Sequence, residues 1–322
     1  MGEYKNLGLV YQGSKRSIAD KIYHAMTAVI GEADGRRRFV DVFCGGGAMG
    51  FCASQHGENV LMNDANSYLI FLLDFFVHFD KQKEELKQYY FENIYSHFFS
   101  REEYKELKNT AENQFIEDKI KLKTGFAFAC FSFGGKFGTT YIYGKDREQL
   151  KKLVHNFIFF GNGGELEKIA DVDLLNDFPF SDKRENYKFL KSKIKNRKIT
   201  ELENLERLEN LERLQNLERL QNLKNIEFSN LDYSNIEIEE QDIIYLDPPY
   251  LGKEKYKENI DFQEFINWAQ SIKNPAFISE AEDLTPFGFT EIFRVEQASK
   301  LNDADNSSKR VERLFWNGKV LE

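Results

Sequence analysis

The sequence is poor in cysteine, with three in 322 residues, and it is also poor in tryptophan and proline, with two and five. So few cysteines exclude a disulfide scaffold. Cys44, Cys52 and Cys130 form no CxxC pair and have no histidine-rich neighbourhood, so their spacing predicts no metal site. We expect three buried, reduced thiols.

Long apolar runs are missing as well. The most apolar window, residues 69–79, contains Asp74 and His78 and is far shorter than the ~20 residues that a membrane-spanning helix needs. Residues 1–6 show no apolar run leading to a small-residue cleavage site, which argues against a secretory signal. We expect a soluble, cytoplasmic protein with no membrane partner.

Positive charge is in deficit overall but is concentrated in one place. The formal net charge is −9, yet residues 181–200 hold eight Lys or Arg against two Asp or Glu. A polyanion can dock on such a segment, although a solvated helix face is the simpler explanation of these charges taken alone.

The rest of the composition is that of an ordinary globular protein with an excess of aromatic rings. Hydrophobic residues make up 41% and charged residues 30%, with 30 Phe and 15 Tyr, which excludes global disorder and fibrous repeats. The length suits one large domain or two unequal ones. The many flat rings suit stacking on a ring-shaped substrate.

The order of the apolar runs predicts an α/β fold. Residues 38–43 and 59–62 are typical of short strands, and a helical pattern follows each of them, the second running to about Phe79. This βαβα order favours a parallel sheet covered by helices. Strand patterns return at 226–228, 242–246, 276–279 and 290–293. The sheet is therefore split in the sequence by an inserted second lobe.

The inserted segment has three parts. A charged helical pattern covers 81–120, and a glycine- and aromatic-rich stretch at 126–144 is typical of a loop. Residues 202–225 are a tandem of four hexapeptides in which leucine recurs every third residue. On an α-helix that spacing moves the apolar stripe by about 60° per step, so the stripe cannot stay on one face. We interpret the tandem as a helical spacer whose copy number is free to vary.

A glycine turn, Gly45-Gly46-Gly47-Ala48-Met49-Gly50, follows the first strand and opens a helix. It matches the GxGxxG pattern. Asp64 stands 19 residues after Gly45, at the tip of the next strand, where a carboxylate can bind ribose hydroxyls. Taken alone, the turn suits NAD as readily as any other nucleoside-containing cofactor.

A second turn precedes it, at Tyr11-Gln12-Gly13-Ser14-Lys15-Arg16. This segment opens a helix, and its backbone N–H groups and the Lys15 ammonium can hold a carboxylate. A dinucleotide does not need such a group. A cofactor with an amino-acid part does.

The most specific motif is Asp247-Pro248-Pro249-Tyr250, which directly follows the apolar strand 242–246. Each proline fixes φ at about −65° and lacks an N–H, so the turn is stiff and presents the Asp247 carboxylate and the Pro248 carbonyl together. Two adjacent acceptors suit gripping both N–H bonds of an exocyclic amine. Tyr250 would then stack on the base.

Together these blocks resemble the Dam-like DNA adenine-N6 methyltransferases with the D12-type motif order. The resemblance extends to the block Asn230-Leu231-Asp232-Tyr233, to the glycine-rich segment 131–144 and to residues 313–317, which resemble the family's closing strand. It implies an α/β fold with a Rossmann-like class I methyltransferase sheet and helices on both faces, formed by 1–80 and 226–322. It also implies an inserted, mainly helical target-recognition lobe at 81–225.

The resemblance implies S-adenosylmethionine as cofactor and no metal. The cofactor-binding residues that it implies are Tyr11, Lys15, Asp41, Phe43, Gly45, Gly47, Asp64, Asp232, Tyr233 and Asp247. The catalytic residues are then Asp247, Pro248 and Tyr250. We place the DNA contacts in the inserted lobe, at Lys136, Tyr141, Lys183, Arg184 and Lys191.

Other functions stay open at this point. The same turn can orient another planar amine, such as cytosine N4, adenine in RNA or a protein glutamine, and the glycine turn alone allows an NAD-dependent oxidoreductase. An intact Asp-Pro-Pro-Tyr turn argues against a silent DNA-binding module. We expect double-stranded DNA as partner, a monomer or weak dimer, and a bacterial or phage origin. The recognition sequence and the presence of a partner restriction endonuclease are not fixed by the sequence.

Overall fold

The computed structural model describes residues 7–9, 11, 13–111, 116–133, 137–160, 185–186, 189–190, 209–249, 260–298 and 309–321. The chain divides into two compact units. Met1–Asp80 and Asn216–Glu322 form the first unit, and Lys81–Gln215 form the second. The chain thus returns to the first unit within the hexapeptide tandem, earlier than the expected residue 226.

The first unit contains one seven-stranded sheet with the order β3-β2-β1-β4-β5-β7-β6. The strands are β1 Arg38–Asp41, β2 Asn59–Asn63, β3 Ile226–Ser229, β4 Asp242–Leu246, β5 Ala276–Glu280, β6 Thr290–Ala298 and β7 Lys309–Trp316. Strands β1 to β5 pair in parallel, and β7 runs antiparallel to both β5 and β6. The predicted split α/β sheet is confirmed.

The described helices occur in both units. They are α1 Ala19–Ile30, α2 Ala48–Gln55, α3 Ser67–Val77, α4 Glu84–Asn93, α5 Arg101–Thr110, α6 Asp118–Phe131, α7 Lys145–Phe160, α8 Glu209–Arg219 and α9 Phe262–Ser271. None of these helices within the described ranges has the length and apolarity needed to cross a bilayer.

Strands β4 and β5 are buried along their whole length, as expected for parallel strands that are covered on both faces. Helix α9 begins at an N-cap, where the Asp261 carboxylate accepts a hydrogen bond from the Glu264 N–H at 2.8 Å. It buries Phe265 and Ile266 in one apolar cluster with Ile244 of β4. This packing fixes the carboxyl ends of the central strands.

A buried ion pair joins the start of β1 to the loop before β2. The Arg37 guanidinium donates to the Glu58 carboxylate at 2.8 and 3.0 Å, and the Tyr23 hydroxyl donates to the same carboxylate at 2.9 Å. Arg37 and Glu58 are 4% and 1% exposed. Burial opposes the charge of Arg37, but its hydrogen bonds to Glu58 outweigh burial and raise its pKa; burial raises the pKa of Tyr23. The charge of Glu58 is thus compensated entirely inside the protein.

The second unit corrects the prediction of a loop at 126–144. Residues 126–131 form the last turns of α6, and Phe126, Phe128 and Phe131 are buried there. The Tyr104 and Ser132 hydroxyls hydrogen bond at 2.5 Å just beyond the helix. The aromatic side chains fill the interior of this helical unit, which explains their density in the sequence.

The described part of the hexapeptide tandem, 209–225, is not a spacer. Leu214, Leu217 and Leu220 are all at most 2% exposed. Leu214 and Leu217 lie on α8, and Leu220 begins the 3₁₀ turn Leu220–Asn222 that follows it. Arg213 is buried and donates to the Ser132 carbonyl at 2.6 Å, beyond the end of α6. The spacer interpretation is therefore wrong for these residues, because the tandem supplies both core side chains and a helix cap.

Candidate active site

The site is built where β1 and β4 lie side by side. Asp41 at the end of β1 is level with Tyr245 of β4, so the glycine turn and the Asp-Pro-Pro turn leave the sheet at the same edge. The chain places β2 and β3 on one side of β1 and β4 on the other. Such a reversal of strand order opens a crevice at the carboxyl ends of the strands, where α/β proteins bind ligands.

The glycine turn packs too tightly for side chains. Gly47 has φ +81° and starts α2; a Cβ there would lie 2.4 Å from Phe51 Cε2. A Cβ on Gly46 would lie 2.6 Å from the Leu9 carbonyl oxygen. The Leu9 N–H donates to the Gly46 carbonyl at 2.8 Å, and the Tyr11 ring lies against Gly45. The segment before α1 is thus held across the turn.

Lys15 connects this segment to the Asp-Pro-Pro turn. Its ammonium is 2.8 Å from Asp247 Oδ1 and 3.1 Å from Glu312 Oε1. Lys15 and Glu312 are each 3% exposed, whereas the Asp247 side chain is 19% exposed. The structure therefore brings together Lys15 and Asp247, which the sequence assigned to separate blocks, and leaves Asp247 as the member open to the crevice.

Sequence reasoning missed Glu312. It lies in β7, on the same face as the buried Leu314, because alternate residues of a strand face the same side. Strand β7 also contains Lys309, Arg310 and Arg313, so the sequence does not mark Glu312 as a buried carboxylate. Its burial depends on the distant Lys15, because carboxylates are rarely buried unless they are paired.

Asp41 lies beneath the glycine turn and is 1% exposed. Its Oδ2 accepts from the Gly50 N–H at 3.0 Å, and its Oδ1 has no hydrogen-bond partner among the described residues. Burial, helped by the nearby Asp247 and Asp64 carboxylates, raises the pKa of Asp41 to about 8. Folded protein therefore keeps a proton on Asp41 at pH values where the unfolded chain does not.

This proton predicts a pH dependence of stability. Between the ordinary carboxyl value of 3.8 and about 8, the folded state binds more protons than the unfolded state, so the free energy of unfolding falls as pH rises through that window. We expect Asp41→Asn to flatten this fall and to be more stable than the parent near pH 8. Urea unfolding from pH 4 to 8 measures it, and parallel curves for the two proteins would contradict it.

Asp64 and Asn63, at the end of β2, form hydrogen bonds to the neighbouring segments of the site. Asp64 accepts from the Gly45 N–H at 3.0 Å and from the Asn66 N–H at 2.9 Å, and burial raises its pKa. The Asn63 side chain donates to the carbonyls of Val42 and Leu231, each at 3.0 Å. Asp64 therefore stands beside the glycine turn, and Asn63 fixes the ends of β1 and β3 around it.

The segment after β3 contributes the aromatic ring of Tyr233 and the side chain of Asp232, which caps the 3₁₀ turn Tyr233–Asn235. Asp232 is exposed and accepts from the Ser234 N–H at 3.0 Å. The Tyr233 ring is buried, with its centroid 5.6 Å from that of Phe43 and 5.0 Å from that of Trp268. The structure thus joins Phe43 and Tyr233 in one aromatic cluster beyond the end of β1.

Of the five residues predicted to contact DNA, the structure describes one, Tyr141. Lys136, Lys183, Arg184 and Lys191 lie outside the described residues, as does Tyr250 of the Asp-Pro-Pro-Tyr turn. Tyr141 is described and is 8% exposed; its hydroxyl donates to the Phe99 carbonyl at 2.5 Å. Because that hydroxyl and ring serve the interior of the second unit, Tyr141 is not proposed to contact DNA.

Comparison with known proteins agrees with this arrangement. The chain matches the family described as D12 class N6 adenine-specific DNA methyltransferase over residues 11–149 and 173–275. Both the glycine turn and the Asp-Pro-Pro-Tyr turn fall inside the match. No curated protein matches the chain. The family favours N6 methylation of adenine in DNA over the other amines and over NAD-dependent oxidation. The chain belongs to the D12 class of N6 adenine-specific DNA methyltransferases, enzymes that methylate N6 of adenine in DNA.

Proposed function

We propose that the crevice between β1 and β4 binds S-adenosylmethionine as the methyl donor. The enzyme then transfers the methyl group to N6 of an adenine that has left the base stack of double-stranded DNA. The observation that carries this is the 2.8 Å contact between Lys15 and Asp247. It places the Asp-Pro-Pro turn against the segment that crosses the glycine turn. One edge of the sheet therefore holds both the features of a nucleoside site and those of an amine site.

The charges of the site fit a cationic donor. The Lys15 ammonium contacts the carboxylates of Asp247 and Glu312. The Asp64 carboxylate lies beside the glycine turn, so carboxylates outnumber ammonium groups in the described part of the site even while Asp41 is protonated. Such an excess of carboxylates suits a ligand with a positively charged centre. When bound, S-adenosylmethionine supplies a methyl group on a positively charged sulfur. Tyr11 and Gly45 would line the site of the cofactor, and Asp64 would offer acceptors to its ribose. The aromatic cluster around Phe43 and Tyr233, together with Asp232, would hold the adenine of the cofactor.

Asp247 and Pro248 orient the substrate amine. The Asp247 carboxylate accepts one N6–H and the Pro248 carbonyl accepts the other, so the nitrogen lone pair is directed away from both acceptors. The two prolines hold these acceptors without the reorganisation that a flexible turn would need. Tyr250 stacks on the base. Catalysis then rests on positioning, with Asp247 also available to take the proton that N6 must lose.

Lys15 is a positioning residue that acts through Asp247. Its ammonium donates to Asp247 Oδ1 at 2.8 Å and so fixes one oxygen of the carboxylate. Glu312 contacts the same ammonium at 3.1 Å, so Lys15 has a second partner that keeps it in place beside Asp247. Two carboxylates around one cation leave a net negative charge facing the amine hydrogens.

Lys15→Met is expected to lower kcat by about 10²-fold, the loss typical of a misplaced catalytic group. Without the cation, Asp247 Oδ1 loses its partner at 2.8 Å, so kcat should fall while the KM for DNA changes little. Steady-state kinetics on a DNA duplex measure both constants. Lys15→Arg keeps the charge and should retain most of kcat, whereas an unchanged kcat in Lys15→Met would refute the positioning role.

The target adenine must leave the base pair, which costs a few kcal/mol that the pocket and phosphate contacts have to offset. We assign the phosphate contacts to the basic segment 181–200, with Lys136 near the groove. The support is the local excess of eight Lys or Arg over two Asp or Glu in an acidic chain. Binding of this kind releases counterions and weakens with salt.

Replacing Lys183, Arg184 and Lys191 together by Ala should weaken DNA binding and reduce the slope of log K against log salt by about 0.9 for each phosphate that the variant no longer neutralises. Fluorescence anisotropy of a labelled duplex at several salt concentrations measures this slope. The effect should be similar on all DNA sequences, because phosphate contacts carry no base information.

A matched triple variant supplies the control. Lys21, Lys224 and Lys273 are exposed in the first unit, and their replacement by Ala removes the same charge from the protein. An equal loss of slope in both triples would mean that total charge, rather than the basic segment, sets the affinity.

The activity itself is tested in cells. Sequencing of modified bases in DNA from cells that express the chain should show N6-methyladenine in one sequence context, which also reveals the recognition sequence. DNA from cells that express the Asp247→Ala variant should lack it. Methylated cytosine in place of adenine would overturn the proposed substrate.

A further inference from the structure

A group of two histidines and one aspartate lies in the first unit outside the crevice between β1 and β4. Asp20 and His24 are one turn apart on α1, and His56 directly follows α2. One ligand atom from each residue lies within 4.8 Å of the others. His56 Nε2 is 3.0 Å and His24 Nε2 is 3.9 Å from the Asp20 carboxylate. The three side chains therefore converge.

One member of the group is held in place by the core. The His56 ring stacks on the buried Tyr23 ring with centroids 4.3 Å apart and an angle of 15°. The Tyr23 hydroxyl is in turn bound to Glu58. The His56 backbone N–H donates to carbonyls of the last turn of α2. Ring stacking and backbone hydrogen bonds thus fix the His56 ring, so its Nε2 atom is already in position before a ligand binds.

The other two members have room to adjust. The side chains of Asp20 and His24 are 69% and 55% exposed, so they can rotate without disturbing the core. Two imidazoles and a carboxylate in a tetrahedral zinc site lie about 3.4 Å from one another, given ligand distances of about 2.0–2.2 Å. Side-chain rotation closes the observed separations to that value, and water can take the remaining position.

We propose that Asp20, His24 and His56 form a binding site for a divalent transition-metal ion of the zinc type. Nitrogen and carboxylate donors of this kind suit Zn²⁺, Ni²⁺ or Cu²⁺ better than Mg²⁺ or Ca²⁺, which prefer oxygen. The bound ion joins α1 to the end of α2. Because α1 begins four residues after Lys15, the ion stabilises the part of the chain that carries Lys15. It takes no part in methyl transfer.

The test uses the full chain, stripped with a chelator and kept reduced so that thiols form no bridges. Zinc chloride is titrated in competition with a chromophoric chelator, and the melting temperature is followed with and without zinc. We expect the parent to bind one Zn²⁺ per chain and to melt at a higher temperature when loaded. His24→Ala and His56→Ala should each lower the affinity at least about tenfold, since even outer-shell changes cost that much.

The pair Asp74 and His78 is a matched control. Its members have the same spacing at the end of α3 and a contact of 2.8 Å, but no third ligand joins them among the described residues. His78→Ala should leave zinc affinity unchanged. Asp20→Asn keeps the size of the side chain and removes one carboxylate ligand, so it tests the site even if a histidine variant fails to fold. Unchanged affinity in the His24→Ala/His56→Ala double variant, or an equal loss in His78→Ala, would overturn the site.

Discussion

Asp247→Ala is expected to reduce methyl transfer by at least about 10²–10³-fold, the range found when one oriented hydrogen-bonding group is removed from a preorganised site. The fold should survive, because Lys15 keeps Glu312 as a partner at 3.1 Å and its buried charge is not left uncompensated. Cofactor affinity should fall far less than methyl transfer, since Tyr11, Asp64 and the glycine turn remain. Single-turnover transfer of labelled methyl and calorimetric binding of the cofactor separate the two effects.

A matched control lies at the other end of the same strand. Asp242 begins β4 and accepts from Arg38 at 2.7 and 2.9 Å, far from the Asp-Pro-Pro turn. Asp242→Asn should lower the melting temperature and leave the kcat of the folded enzyme unchanged. Full methyl transfer by the Asp247→Ala enzyme would refute the role given to the turn. Loss of both transfer and folding would instead mean that Asp247 is structural.

Glu58→Ala is expected to lower the free energy of unfolding by about 3–5 kcal/mol, because it leaves the buried Arg37 guanidinium without its carboxylate. The Tyr23 hydroxyl loses its acceptor in the same change. Glu58 touches none of the proposed catalytic residues, so kcat measured at low temperature should hold. Urea unfolding gives the stability, and a loss below about 1 kcal/mol would show that solvent reaches Arg37.

The neighbouring arginine provides the control. Arg36 pairs with Asp34 at 2.8 Å, the same distance as in the buried pair, but its side chain is 84% exposed. Solvent screening makes such a pair contribute little. Asp34→Ala should therefore leave the melting temperature nearly unchanged, and the contrast between two adjacent arginines isolates the effect of burial.

Much of the first unit follows from local pattern. The apolar strands, the glycine turn and the Asp-Pro-Pro-Tyr turn each have a cause within a few residues: a buried strand, a positive φ at Gly47, or fixed proline angles. The meeting of Asp41 and Asp247 also follows, since parallel strands end at one edge of a sheet. These features are short-range or set by sheet rules, so the sequence alone predicts them.

What the sequence did not reveal depends on distant partners. Glu312 pairs with Lys15 from the opposite end of the chain, and Arg213 donates to the Ser132 carbonyl, which lies 81 residues before it. The leucine spacing of the tandem argued against a fixed helical face, but Leu214 and Leu217 of α8 and Leu220 of the following 3₁₀ turn are all buried. A tertiary contact overrides a local pattern in each case, and no periodicity records it.

Strand β7 completes one side of the sheet. It lies between β5 and β6, so β6 cannot join the sheet until residues 309–316 have been synthesised. Glu312, which contacts Lys15 at the site, arrives with the same strand. We therefore expect a chain truncated before residue 309 to keep the glycine turn and the Asp-Pro-Pro-Tyr turn but to lack both the finished sheet and the ion pair between Lys15 and Glu312.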